Sequence, residues 1–261
     1  MSEKIAIAAT KGGTGKTTTT WNLGFGLALA GARVLLVDCD PQDNLRLIAN
    51  TEHARSTVAS ALEHGTFTPN HIRETVWLLP SGGRRLWQTI VSSDGLGDLT
   101  APLRHALSAR DADYDFILLD CPPDMGVLTQ SALVAAHEVI IPVDVGFFSV
   151  VGLARIVRII DDIRNTYNPE LKIAGVLATK YDPRTTLSDT TVSEIEAQGL
   201  PIFDTKIRIS VDIIRSQMAR TPVGIYAEGS HGAEDYNALA HEILPAKVIP
   251  LRQRQRKVAD G

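Results

Sequence analysis

Residues 10–18 read TKGGTGKTT, with Gly12, Gly13 and Gly15 around Thr14 and then Lys16, Thr17 and Thr18. Glycines let a backbone approach an anion without a Cβ in the way. Loop N–H groups and the N-terminus of a following helix can then converge on one phosphate. Lys16 supplies a point charge to β- and γ-phosphates, Thr17 a hydroxyl to Mg²⁺, and Thr18 a contact near the α-phosphate. An apolar, β-branched stretch precedes this run and helical composition follows it, which is the context such a loop requires.

Two residues depart from the standard loop. Thr10 stands where a glycine should open it, and Lys11 adds a second lysine five residues before Lys16. A loop whose N–H groups point inward sends the neighbouring side chain out along its rim, so Lys11 is poorly placed to serve its own phosphates. Two such ammonium groups facing each other would repel by ~1 to 4 kcal/mol at 4 Å, depending on the effective dielectric, unless a polyphosphate lay between them. Lys11 is therefore either a bridge to a nucleotide held by a second copy or a solvated surface lysine.

Three carboxylates complete the set. Asp38 and Asp40 leave the end of the second expected strand and Asp120 the end of the fourth. In a parallel sheet these ends lie beside the loop that follows the first strand, so the carboxylates converge on a γ-phosphate and its metal. Asp38 serves either the metal's waters or the structure alone.

The elements that must position these groups are legible as short apolar runs at 4–9, 33–38, 75–80, 115–120, 138–144 and 173–179. Their near-continuous hydrophobicity fits parallel strands covered on both faces. A helix is expected between Thr17 and Ala30, stopped at Gly31. The fold class is α/β, a doubly wound, mostly parallel sheet with helices on both faces. No internal repeat or linker divides the 261 residues; 1–249 read as one domain and 250–261 as a basic, frayed tail. Hydrophobic residues at 44% and charged residues at 21% are ordinary for a globular chain, and a net charge of −4 argues against a generally basic surface. No apolar run approaches the ~18 residues that span a bilayer. Cys39 and Cys121 read as reduced small residues rather than metal ligands.

KGGTGKTT resembles the deviant Walker A motif of the ParA/MinD group of P-loop ATPases, and VLLVDCDPQDN and YDFILLDCPPDMGVLT resemble that group's next two motifs. The similarity runs from about Lys4 to Leu244 and is strongest to ParA-type partition proteins. It implies a weak Mg²⁺-dependent ATPase acting as a switch, with ATP and Mg²⁺ as cofactors. Lys11 would reach across a sandwich homodimer to the partner's ATP, beside Lys16 as the cradle's own lysine. Asp120 would be the Walker B residue that holds the metal through water, and Asp40 would orient the attacking water. Pro41 and Gln42 would start a switch in which Asp43 replaces the small residue usual before Asn44. CPPDMG at 121–126 would be either a second switch or a rigid loop.

The base is the open point. TKYD at 179–182 also resembles the T-K-x-D guanine motif of signal-recognition GTPases, whereas the family resemblance implies ATP. Base contacts are expected at Lys180, Asp182 and Arg208, the last standing where the family suggests a proline. The resemblance further implies nonspecific double-stranded DNA as a partner, with Lys180, Arg184, Arg208, Arg215, Arg220 and, in the tail, Arg252, Arg254, Arg256 and Lys257 as candidate contacts. No helix-turn-helix extension is expected before the first strand, so sequence-specific recognition is expected from a ParB-like centromere-binding adaptor. The expected setting is cytoplasmic and nucleoid-associated. The alternative is a MinD-like membrane-associated or other cargo-positioning ATPase; Pro250 interrupts the tail that would form a membrane helix.

Overall fold

In the computed structural model, residues 1–51, 53–92, 100–145 and 149–244 are described. Their strands are β1 (Glu3–Ile7), β2 (Val34–Asp38), β3 (Asn70–Arg73), β4 (Val76–Leu79), β5 (Phe116–Asp120), β6 (Glu138–Asp144), β7 (Lys172–Tyr181) and β8 (Ile207–Arg208). They form one sheet in the order β3-β4-β2-β5-β1-β6-β7-β8. Every neighbouring pair is parallel except β3 with β4.

Strand residues alternate between two cores, as the period of two demands. Ala6, Leu35, Val37, Ile117, Leu119, Val139 and Ile141 face one side. Ile5, Ile7, Val34, Leu36, Phe116, Leu118 and Ile140 face the other. Both sides are buried, which is why these runs read as continuously apolar rather than alternating. All six expected strands are present, and the expected doubly wound α/β class holds. Two strands were not expected: the polar edge hairpin strand β3, and β8, which is two residues long. Asp120 consequently ends the fifth strand in chain order, not the fourth.

The helix Lys16–Leu29 follows β1 and lies almost wholly inside, between the sheet and the helix His231–Ile243. A Cβ on Gly24 would come within 2.6 Å of Leu36 Cδ2, and one on Gly26 within 3.0 Å of Ala240 Cβ and 3.2 Å of the Tyr236 carbonyl. The two glycines let the helix press against neighbours on opposite sides, and that contact fixes where its N-terminus points. The chain leaves Gly31 at φ 102°, the expected helix stop.

The strand order reverses direction around β1, which lies between β5 and β6. Beyond the carboxyl end of a strand at such a point, the connections part and leave a crevice. Among the described residues no helix is long and apolar enough to cross a membrane. The boundary at 249/250 and the basic tail lie outside the described residues.

Gly26→Val should overpack this contact and lower stability by about 1–3 kcal/mol. The expected reading is a lower denaturant midpoint at an unchanged slope.

Candidate nucleotide and metal site

The crevice holds a cavity of about 590 Å³ lined by Gly12, Gly13, Thr14, Gly15, Lys16, Thr17 and Thr18 on one side. Asp40, Gln42, Asn44 and Pro123 stand across from them, and Thr179, Lys180, Ile207, Arg208, Ile209, Ser210, Ile213, Ile214, Gln217 and Tyr236 complete the wall. Gly13 and Gly15 sit at φ 76° and 93°, a left-handed backbone that side chains rarely adopt. Gly15 is the N-cap of the Lys16–Leu29 helix and carries no side-chain cap, so the first helical N–H groups remain open to an anion.

Lys16 is 7% exposed, and its ammonium donates to the Lys11 carbonyl at 3.2 Å. Burial holds its pKa below the usual lysine value, opposed by the charges of Asp120 and Asp40. Lys11 sends its side chain into solvent, and no hydrogen bond or ion pair among the described residues holds its ammonium. Two tethers keep the loop in place from behind: Thr179 Oγ1 donates to the Thr14 carbonyl at 2.9 Å, and Gln217 Nε2 donates to Thr18 Oγ1 at 2.7 Å. Thr10, the residue in place of the opening glycine, donates its hydroxyl to the Gly152 carbonyl at 3.2 Å.

Asp38 and Asp120 are register partners on β2 and β5, both fully buried. Asp38 accepts backbone N–H bonds from Asp40 and Leu45, each at 3.0 Å. Burial, then the neighbouring Asp120, pushes its carboxyl well above the usual range. In Asp120 burial raises the pKa to about 7 against the Thr17 hydroxyl, which lowers it. Thr20 Oγ1 donates to Asp120 Oδ1 at 3.4 Å, while the buried Oδ2 has no hydrogen-bond partner. A buried, unpartnered carboxylate oxygen beside a threonine hydroxyl suits a hard cation. No group of three or more His, Cys, Asp or Glu among the described residues could hold a metal by itself. That donor set fits Mg²⁺, which keeps waters and shares phosphate oxygens rather than occupying an all-protein cage.

Asp40 is 8% exposed at the cavity and accepts the Gln42 N–H at 2.9 Å. From the 121–126 loop only Pro123 borders the cavity; Asp124 is turned back onto the Gly126 amide at 2.8 Å. Cys39 and Cys121 are free and buried, as expected.

Of the three residues expected at the base, Lys180 and Arg208 line the cavity and Asp182 does not. Asp182 takes both Arg184 nitrogens, at 2.9 and 2.8 Å, and this pair draws its pKa down to about 2. An exposed i,i+2 carboxylate–guanidinium fork thus replaces the expected base contact. Arg208 is bound to Asp235 at 2.5–3.1 Å and to Glu234, so it braces the cavity wall. Among the candidate DNA contacts Lys180 meets Asp144 at 3.1 Å and Arg215 meets Asp212 at 3.7 Å, both exposed pairs of little net strength. Arg220 donates to Asn50 Oδ1. Arg252, Arg254, Arg256 and Lys257 lie outside the described residues. Sequence reasoning missed Thr20, Gln217, Tyr236, Ile213 and Ile214 as site residues; Thr179, inside TKYD, and Ile207 and Ile209, on either side of Arg208 in the 205–210 stretch expected to reach the base, had a local signal.

The family model of an AAA domain matches residues 2–173. The chain is similar to the chromosome partitioning protein ParA of Caulobacter vibrioides, with 34% identity over 98% of this chain and 97% of that one. It is similar to the chromosome-partitioning ATPase Soj of Thermus thermophilus, with 34% identity over 92% of this chain and 95% of the relative. Among solved structures, a cobyrinic acid a,c-diamide synthase from Mycobacterium smegmatis with bound ATP analogue and magnesium superposes with a TM-score of 0.79. It is 31% identical and covers 92% of this chain and 93% of its own.

The raised carboxyls set a pH response in the nucleotide-free protein. Asp120 binds its proton more tightly folded than unfolded, so stability should fall as pH rises from about 4 to about 7, by up to about 1.4 kcal/mol per pH unit per group, and then level off. Asp120→Asn should flatten that slope and raise the melting temperature at pH 8, read by thermal unfolding across pH.

Proposed function

Because the chain belongs to the ParA-type P-loop ATPases of the AAA-domain family, we propose that it is a partition ATPase in which ATP binding joins two copies and hydrolysis parts them. The joined form binds duplex DNA without sequence preference at the nucleoid, and a ParB-like adaptor stimulates its slow turnover. The observation that carries this reading is the division of labour between two lysines. Lys16 is folded into the cradle, while Lys11 stands on the rim with its ammonium in solvent.

In this reading the Lys16 ammonium leaves the Lys11 carbonyl for the β- and γ-phosphate oxygens, a stronger, charge-assisted acceptor. Lys11 meets the triphosphate held by the other copy, so each nucleotide offsets the repulsion between two cationic rims. Thr17 and Asp120 would hold Mg²⁺, and Asp38 would support that set. When bound, Mg²⁺ neutralises charge developing on the phosphate oxygens. Asp40 orients the attacking water. Ile207, Ile209, Ile213 and Ile214 give the base an apolar wall, and Lys180 and Arg208 stand at its polar edge. The preference for ATP is supported by the ATP analogue in the mycobacterial neighbour.

Lys16→Ala should weaken ATP binding by about 10- to 100-fold, the worth of a charged hydrogen-bonded contact. Lys11→Ala should bind ATP normally and stay monomeric with Mg²⁺ and a slowly hydrolysed analogue, measured by light scattering; a dimer of this variant contradicts the bridging role.

Asp40→Ala should persist as an ATP-bound dimer on unrelated duplexes, with affinity falling linearly in log salt. A salt-independent response, or turnover that requires cobyrinic acid instead of DNA and adaptor, would favour the activity named for the mycobacterial neighbour.

A further inference from the structure

Asp43 occupies a position where the resemblance leads one to expect a small residue, and its backbone is left-handed at φ 58°, ψ 39°. Glycine takes that conformation without penalty, and aspartate is one of the few other residues to visit it. The residue is 6% exposed, and both carboxylate oxygens are engaged. Asp43 Oδ1 accepts the Ser81 N–H at 3.0 Å, and Oδ2 accepts Arg46 Nε at 2.5 Å.

Ser81 is a fixed post. It is fully buried in the loop after β4, where the Pro80 carbonyl accepts the Val58 N–H at 2.8 Å and the Ser81 carbonyl accepts the Ala59 N–H at 3.2 Å. Those donors are the first N–H groups of the helix Val58–His64. Both ends of the 40–45 segment are held by Asp38, which takes the Asp40 and Leu45 N–H groups. Within the segment, the Asp43 N–H donates to the Asp40 carbonyl at 2.9 Å.

We infer that Asp43 is a positioning residue for hydrolysis: its carboxylate clamps the 40–45 segment to the Ser81 amide and thereby holds Asp40 at the angle the attacking water requires. Without the side chain the segment is held only at its two ends, by Asp38, and the stretch between them can shift. Small misplacements of such a group cost turnover far more than binding. Asp43 itself does not line the cavity, whereas Asp40, Gln42 and Asn44 do, so the clamp should govern kcat and leave ATP affinity alone.

This inference rests on the reading of Asp40 as the water-orienting residue, and the test separates the two. Asp43→Gly suits the left-handed backbone and should fold; Asp43→Asn keeps an acceptor for Ser81. The glycine variant should lose about tenfold in kcat with KM for ATP within about twofold, and its Ser81 amide should exchange with solvent about tenfold faster or more. The asparagine variant should restore both. Wild-type kcat in Asp43→Gly, a KM rise matching the kcat loss, or no rescue by asparagine overturns the clamp. If the wild-type chain shows no ATP turnover, the proposed function fails, while Ser81 exchange still decides whether the clamp exists.

Discussion

The site is organised around charge taken out of water before its natural counter-charge arrives. Asp38 and Asp120 lie side by side at neighbouring strand ends, fully buried, and both hold their protons more tightly than a solvated carboxylate would. Lys16 is nearly as buried and rests on a carbonyl, a weak partner for an ammonium. Burial on this scale without full pairing destabilises a fold. The rest of the sheet supports that cost: two continuous cores flank the five central residues of β1, β2 and β5. What the arrangement gains is a cradle that a bound polyphosphate and a divalent cation complete, each supplying the partner that the chain withholds.

The same constraint explains what could be read from the sequence. The apolar strands are legible because both faces are covered, and the P-loop is legible because its glycines and Lys16 have no cheaper explanation after a strand. The edges are not. β3 carries Asn70, His71 and Arg73 and takes its identity from pairing with β4, and β8 is too short for any pattern. Asp182 was expected at the base because TKYD has the right composition for such a contact; in the structure an arginine two residues on takes its carboxylate, and the residue does not line the cavity. The tether from Gln217 to Thr18 spans 199 residues of sequence, and a glutamine in an exposed helix announces nothing.

Asp43 marks the boundary between these cases. Its departure from a small residue is visible in the sequence, but the meaning of that departure depends on Ser81, 38 residues away, whose contribution is a backbone N–H that every residue but proline possesses. Side-chain identity at one end and backbone placement at the other make half of the contact invisible to composition. The parallel pairing of β4 with β2 is what brings the Ser81 loop beside the end of β2.

The contacts also close a circuit. Thr20 and the Asp120 carboxylate join the cradle helix to β5; Asp38 on the adjoining β2 holds the segment that carries Asp40. Asn50, the C-cap of the helix that follows this segment, takes the Arg220 guanidinium, and Gln217, on the helix just before Arg220, returns to Thr18 at the start of the cradle helix. The cradle helix, the 40–45 segment and the sheet edge that carries the candidate base wall are therefore linked through short polar contacts as well as through the shared core that holds Trp21, Leu45, Ile207 and Ile213. Polar contacts of this kind have alternative partners in water and in phosphate, whereas the close-packed cores do not deform by small steps.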